Sequence, residues 1–305
     1  MAVRRLAWPL VRIVSLLPSA TEILFALGAG EDVVGVTFEC DEPAAARTRT
    51  IVSTSALPEG LSAAGIDAAV SARLAAGEDL YHLDADALAG LDADLVVTQD
   101  LCAVCAVDVS VVDDALAYLG CRAEVLTLDP QTLDEVLASV AAVGAATGHD
   151  AAARQLVDGL RQRLTAVRAA VAGRPPVPVM VLEWTDPPFT PGHWVPDMVE
   201  AAGGRPVLGR PGAPSVRTAW DAVAAAGPAV LVAAPCGFGL DDAERLAREA
   251  LAAGVLPGVP LWAVDANASF ARPGPRLVDG VEALAAILHP DAGVPLDPAL
   301  ARRVR

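Results

Sequence analysis

The chain has 305 residues, 54% of them hydrophobic, a length that carries about two domains, each with a sizeable core, and excludes disorder as a general description. Thirty-eight Asp and Glu against 22 Lys and Arg leave a formal charge of −16. Nucleic acid and anionic membrane surfaces are therefore poor partners, because both need cations to neutralise phosphates, and neutral or cationic ligands fit better.

The opening MAVRRLAWPLVRIVSLLPSATE imitates an export signal, with Arg4-Arg5 before an apolar run and Pro18-Ser19-Ala20 as a small-residue site. Arg12 interrupts that run, and cleavage after Ala20 would delete the first core strand. The expectation is a cytoplasmic protein, with a periplasmic or extracytoplasmic location as the alternative. No later apolar stretch reaches the roughly 18 residues of a spanning helix, so no transmembrane segment is expected. Five cysteines, an odd number in a long chain, suggest reduced thiols rather than a disulfide framework.

Residues 13–17 read as the first strand. Pro18-Ser19-Ala20-Thr21-Glu22 then opens a helix through Leu27, with Ser19 and Glu22 spaced as a capping box and Gly28 at the stop. A strand at 33–37, a helix at 62–76 and strands at 95–98 and 123–128 follow. Residues 131–172 are almost unbroken helix former, interrupted at Thr147-Gly148-His149-Asp150. After Gly173-Arg174-Pro175-Pro176 the alternation resumes, with strands at 177–183, 230–234 and 261–264 and helices at 195–202, 241–253 and 276–288. Apolar strands alternating with helices predict parallel sheets covered by helices. The expected fold is α/β, with two Rossmann-like lobes at 11–130 and 173–290. The long helical segment 131–172 joins them, a ligand cleft lies between them, and 291–305 is a solvated tail bearing the basic cluster Arg302-Arg303 and Arg305.

The lobes echo each other. Residues 24–35 lie against 198–209 without a gap, and Leu95-Val96-Val97 matches Val230-Leu231-Val232. Open α/β sheets bind ligands beyond the carboxyl ends of their strands, so candidates are sought there. Ser19 and Thr21 follow the first strand, Phe38 and Glu39 the second, and Gln99 and Asp100 the third. Glu183, Trp184, His193 and Trp194 come from the second lobe, with Gly237 and Phe238 after the strand at 230–234. Phe270 and Arg272 lie near the C-terminus, where Arg272 suits an acidic ligand group. The chain has five Trp, two Tyr and five Phe, so this concentration of aromatic rings in loops suits a large planar or hydrophobic ligand. His82, His149 and His289 carry no assigned chemistry.

Cys40, Cys102, Cys105 and Cys236 also sit just past strand ends. They are either buried core thiols or a site for a soft or borderline transition metal, with His193 as a further candidate ligand. Cys121 reads as a core thiol. A redox role for Cys102 and Cys105 would need a helix start closer to the motif. No motif nominates a nucleophile with its base, so no enzyme is expected.

Residues 12–22, Val34-Gly35-Val36-Thr37 with Cys40-Asp41, 94–98, 187–192, Gly203-Gly204 and Arg272-Pro273 together resemble the periplasmic-binding-protein family that captures cobalamin and ferric siderophores for ABC importers. The likeness runs over residues 11–290 and is nearest the cobalamin-binding branch, through the Leu-Cys-x-x-Cys-Ala segment 101–106 and the Pro-Cys-Gly-Phe-Gly segment 235–239. Phe38 stands where the cysteine-bearing group would be expected to carry a histidine. The resemblance implies a non-catalytic protein that holds cobalamin, another corrinoid or a related metal-tetrapyrrole between two lobes, with a connecting helix that limits hinge closure. It also implies an ABC permease as partner, docked through one acid on each lobe, Asp86 and Asp221. Two alternatives stand beside it. One is a thiolate metal-ion site formed by the four cysteines; the other is an enzyme acting on a corrinoid or thiol-reactive small molecule through Cys102 or Cys236.

Overall fold

The computed structural model describes residues 11–99, 123–254 and 256–305. Among these, one compact unit takes the residues within Met1–Glu59, Ala69–Asp129 and Ser139–Leu156, and a second takes Gly60–Ala68, Pro130–Ala138 and Val157–Arg305.

The first unit is built on β1 (Ile13–Ser15), β2 (Val33–Thr37), β3 (Thr50–Ser55), β4 (Tyr81–Leu83), β5 (Leu95–Thr98) and β6 (Glu124–Thr127), in the order β4-β3-β2-β1-β5-β6. Every pair is parallel except β3 with β4. β1 and β5 are buried along their whole length, as expected of central parallel strands covered on both faces. Helix α1 (Pro18–Ala26) follows β1, α2 spans Ala63–Ala76 and α3 spans Ala85–Gly90. The expected capping box is not formed. Helix α1 starts at Pro18, with Leu17 in extended conformation as its cap and no side-chain cap hydrogen bond, because proline at the first helical position presets φ and needs no N–H partner. Ser19 lies inside the first turn, buried.

The helical segment consists of α4 (Leu133–Ala146) and α5 (Asp150–Val171), broken at Thr147-Gly148-His149 as expected. At the break, Gly148 takes a positive φ and the His149 ring N–H donates to the Thr147 carbonyl, 2.8 Å away.

In the second unit, β7 (Val177–Leu182), β10 (Gly204–Pro206), β11 (Val230–Ala233), β12 (Leu261–Val264) and β13 (Ala301–Arg303) form a sheet in the order β10-β7-β11-β12-β13, parallel except at β12–β13. A small antiparallel hairpin, β8 (Trp184–Thr185) and β9 (Pro188–Phe189), stands apart from it. The helices are α6 (Val195–Ala201), α7 (Trp220–Ala225), α8 (Leu240–Ala252), α9 (Ala266–Ser269) and α10 (Leu277–Leu288). Helix α8 buries Leu240, Ala243, Leu246 and Ala247, the spacing of a single apolar face, and packs onto a core with Met180, Leu182, Leu231 and Leu261.

The basic C-terminal cluster is not a solvated tail. Ala301 is buried and β13 pairs antiparallel with β12, covering an edge that would otherwise present unpaired backbone groups. Arg302 pairs with Asp241, 3.1 Å away, and with Glu244, both on α8, while the Arg305 guanidinium donates to the carbonyls of Val259 and Leu256.

The sequence echo is a structural repeat. β2-β1-β5-β6 and β10-β7-β11-β12 have the same order and the same parallel sense. The ungapped pairing of 24–35 with 198–209 drifts, however. Helix α1 ends at Ala26 with Gly28 at φ +85°, and α6 ends at Ala201 with Gly203 at φ +78°, so the glycines that stop the two helices correspond one residue off the sequence match. A short turn, Gly30–Asp32, then precedes β2, whereas β10 starts directly at Gly204.

Candidate functional site

In the first sheet the chain moves outward from β1 to β2 and β3, then returns to lay β5 and β6 on the other side. The strand order reverses between β1 and β5, the place where open α/β sheets receive ligands. Beyond these strand ends the Thr21 hydroxyl lies 2.9 Å from Ser15 Oγ and 3.0 Å from the sulfur of Cys40, whose own N–H donates to the Thr37 carbonyl. All of these side chains are buried. Thr21 and Cys40 are thus brought together, with the thiol in a hydroxyl-lined core position. Gln99 follows β5 and is 3% exposed, and its amide nitrogen has no hydrogen-bond partner among the described residues. Asp100, Cys102, Cys105 and Cys121 lie outside the described residues.

Past β2, Phe38 is 37% exposed and its ring tilts onto Tyr81, with centroids 6.2 Å apart. The Tyr81 hydroxyl donates to Glu39 Oε2 at 3.2 Å. Tyr81 escaped sequence reasoning. It opens β4, and because β4 runs antiparallel to β3, with Ser55 opposite Tyr81, the start of β4 reaches the same edge as the carboxyl ends of its neighbours. Only recognition of β3 and of the short edge strand β4 would have placed it there.

The second sheet reverses between β7 and β11, and the ladder continues past both strands. The Ala234 N–H donates to Leu182 and that of Cys236 to Glu183. Trp184 and Phe238 meet there as a tilted pair, centroids 5.6 Å apart. Phe238 is positioned by a tight turn in which its N–H returns to the Pro235 carbonyl and Gly237 adopts φ +86°. The Trp184 indole N–H is shared between the carbonyls of Asp186, at 3.1 Å, and Ala63, at 3.2 Å. Glu183 Oε1 accepts the Gly192 N–H at 2.7 Å. Arg217, also missed in the sequence, grips Asp67 through both carboxylate oxygens at 2.7 and 2.8 Å and lies over the Phe189 ring.

Trp194 and Phe270 are corrected from ligand-facing rings to core residues. Both are buried, and the Trp194 indole N–H donates to the Phe270 carbonyl at 2.8 Å. What sets them apart from Trp184, whose indole N–H is also satisfied, is burial, since Trp184 is only half-buried. His193, at φ +49°, stacks beside Trp194 with Nδ1 3.1 Å from Gln131 Oε1. Arg272 is half-buried, and its carbonyl accepts the Gly274 N–H. Asp86 and Asp221 are exposed in the first turns of α3 and α7. In the first turn of α6, burial holds the Asp197 carboxyl above its ordinary pKa despite the Leu133 N–H it accepts at 2.9 Å. Among the described residues no three His, Cys, Asp or Glu are grouped to hold a metal ion, so the thiolate site expected at the cysteines has no support there.

Residues 13–257 match the family model described as Periplasmic binding protein. The chain belongs to this family. Membership confirms the resemblance carried by residues 11–290 and makes the protein a substrate-binding protein of transport rather than an enzyme. Among solved structures, a periplasmic heme-binding protein from Pseudomonas aeruginosa is 22% identical, with 95% of this chain and 96% of that chain covered and a TM-score of 0.69. The heme-binding protein RhuT from Roseiflexus sp. RS-1 is 22% identical (92% and 99% covered, TM-score 0.68). The vitamin B12-binding protein BtuF of Vibrio cholerae is 21% identical (91% and 96% covered, TM-score 0.63). At these identities the likeness is one of fold. No curated protein matches the chain. The cytoplasmic location expected from the first residues is not supported by a family whose description is periplasmic. No helix among the described residues is long and apolar enough to cross a membrane.

Proposed function

We propose that this periplasmic binding protein works outside the cytoplasm, capturing cobalamin, another corrinoid or a related metal-tetrapyrrole and delivering it to an ABC permease. The observation that carries this reading is the pair of aromatic platforms, Phe38–Tyr81 in one unit and Trp184–Phe238 in the other, each just beyond the strand ends of a sheet. Flat faces of this kind suit a large planar ligand.

A visible absorption titration of the ligand-free protein with cyanocobalamin, dicyanocobinamide and hemin tests the reading. A saturable spectral shift with at least one of them is expected. Trp184→Ala and Phe38→Ala should each weaken binding about tenfold or more, the loss expected for a stacking ring worth ~1–2 kcal/mol. If none of the three produces a shift, the tetrapyrrole reading is wrong.

A further inference from the structure

Past the carboxyl end of β10, in the second unit, the chain leaves the sheet through Val207, Leu208 and Gly209. Val207 is buried and its N–H donates to the Val179 carbonyl at 2.9 Å, which fixes the backbone on one side of Leu208. On the other side Gly209 lies against Pro191, where a Cβ would stand 2.5 Å from the Pro191 carbonyl oxygen. The two loops are laced together further on. The Thr190 N–H donates to the Val216 carbonyl at 2.9 Å and the His193 N–H to the Ala213 carbonyl at 2.7 Å. Pinned in this way, Leu208 takes φ +61°, a left-handed conformation in which its Cβ crowds the backbone and which glycine or asparagine enters at little cost. Its side chain is 43% exposed, so packing within its own unit does little to offset that cost. A single exposed leucine is ordinary on a protein surface, and a left-handed glycine is ordinary in a turn; a leucine that is both exposed and left-handed is neither. Strain of this kind persists only where the surroundings over-determine it, and it clusters where a ligand is met. Among the described residues of the second unit, the large hydrophobic side chains that remain exposed are Leu208 and Val216. Both belong to loops that follow the carboxyl ends of strands in the second sheet, as do Trp184 and Phe238, and open α/β sheets receive ligands on that side.

We propose that Leu208 is a ligand contact of the second unit, an apolar side chain held out for the alkyl-bearing rim of a tetrapyrrole. The inference rests on the tetrapyrrole reading above and deepens it, since it asks the ligand to present a hydrophobic edge to this unit as well as a flat face. Corrinoids, whose rims carry methyl groups, and haem, whose rim carries methyl and vinyl groups, both have one. The bound ligand covers the leucine, and the burial of that apolar surface is what the strained backbone serves.

The test titrates full-length protein with cyanocobalamin, dicyanocobinamide and hemin and follows thermal melting without ligand. Leu208→Asn and Leu208→Gly both suit a left-handed backbone and remove the apolar side chain. In each, the melting temperature should hold or rise, while affinity for the ligands that the wild type binds falls about threefold to tenfold, the loss expected for one apolar contact removed. Leu208→Met keeps an apolar side chain of similar volume and should bind within about twofold of wild type. A melting temperature several degrees lower in both polar and glycine variants would show that the side chain holds its own unit together. Wild-type affinities in both would show that the ligand does not touch it. Either result overturns the proposal and leaves the tetrapyrrole reading standing. Wild-type affinities with lost uptake into vesicles carrying the permease would assign Leu208 to that partner and overturn the proposal in the same way. Binding of none of the three ligands by the wild type overturns both.

Discussion

At the scale of single residues, burial separates side chains that hold a ligand from those that hold the fold. Trp184 and Trp194 are ten residues apart and looked equivalent in the sequence. Trp194→Ala should cost about 3–5 kcal/mol of stability, the usual penalty for removing a buried large ring, while the ligand affinity of the folded fraction stays near wild type. Denaturant unfolding beside the absorption titration separates the two quantities. Gln99 presents the opposite case, a buried amide nitrogen without a partner among the described residues. Gln99→Met keeps the volume and removes that cost, so the ligand-free protein should gain about 1 kcal/mol or more. A destabilised variant would show that the amide is satisfied in solution. Asp197 supplies a pH-dependent test. Its carboxyl holds its proton more tightly folded than unfolded, because of burial, so ionisation costs stability as pH rises through its raised pKa. Asp197→Asn, which can still accept the Leu133 N–H, should be more stable than wild type at neutral pH. That advantage should vanish below the ordinary carboxylate range, near pH ~3.9. An advantage independent of pH would mean that the carboxyl titrates normally.

At the scale of elements, the short segment Gly60–Ala68 packs with the second unit although the residues flanking it in the chain belong to the first. Two contacts hold it, the Arg217–Asp67 pair and the Trp184 indole N–H on the Ala63 carbonyl. Asp67 is mostly shielded, but one guanidinium nitrogen reaches both of its oxygens and Arg217 is half exposed, so the pair contributes up to about 1 kcal/mol. Asp67→Asn should therefore raise amide exchange at the start of α2, around Ile66, while exchange in β7 stays as it was. The apolar strands β1, β5, β7, β11 and β12 were legible because buried parallel strands read as runs rich in Val, Ile and Leu. The helices α4 and α5 and their break were legible for the same kind of reason. β3 and β4 were not, because four of the six residues of Thr50–Ser55 are polar and Tyr81–Leu83 is a three-residue strand interrupted by His82, and with them went the position of Tyr81. β13 was missed because its Arg-rich sequence is that of an edge strand paired on one side, which resembles a solvated tail. Of the candidate site, the positions past strand ends followed from the topology. Which rings faced inward did not, since Trp194 at a helix cap and Trp184 after a strand differ only in what packs around them.

At the scale of the whole molecule, the repeat bears on how a partner is met. β5 and β11 occupy the same place in their sheets, and each is preceded by a short helix, α3 or α7, with an exposed aspartate in its first turn. Asp86 lies nine residues before Leu95, where β5 starts, and Asp221 nine residues before Val230, where β11 starts. Neither residue is drawn into the core. Equivalent acids on two repeated units fit a partner that is itself duplicated and presents one cationic site to each, as a permease built from two like subunits would. The expectation is that Asp86→Lys and Asp221→Lys together leave the corrinoid titration unchanged and stop ligand uptake into membrane vesicles carrying the permease. Either substitution alone should give an intermediate loss, because the two contacts act through one complex and their effects combine. Uptake at the wild-type rate in the double variant would show that the permease recognises other surfaces. A parallel loss of ligand binding would instead show that the acids support the fold of their own units.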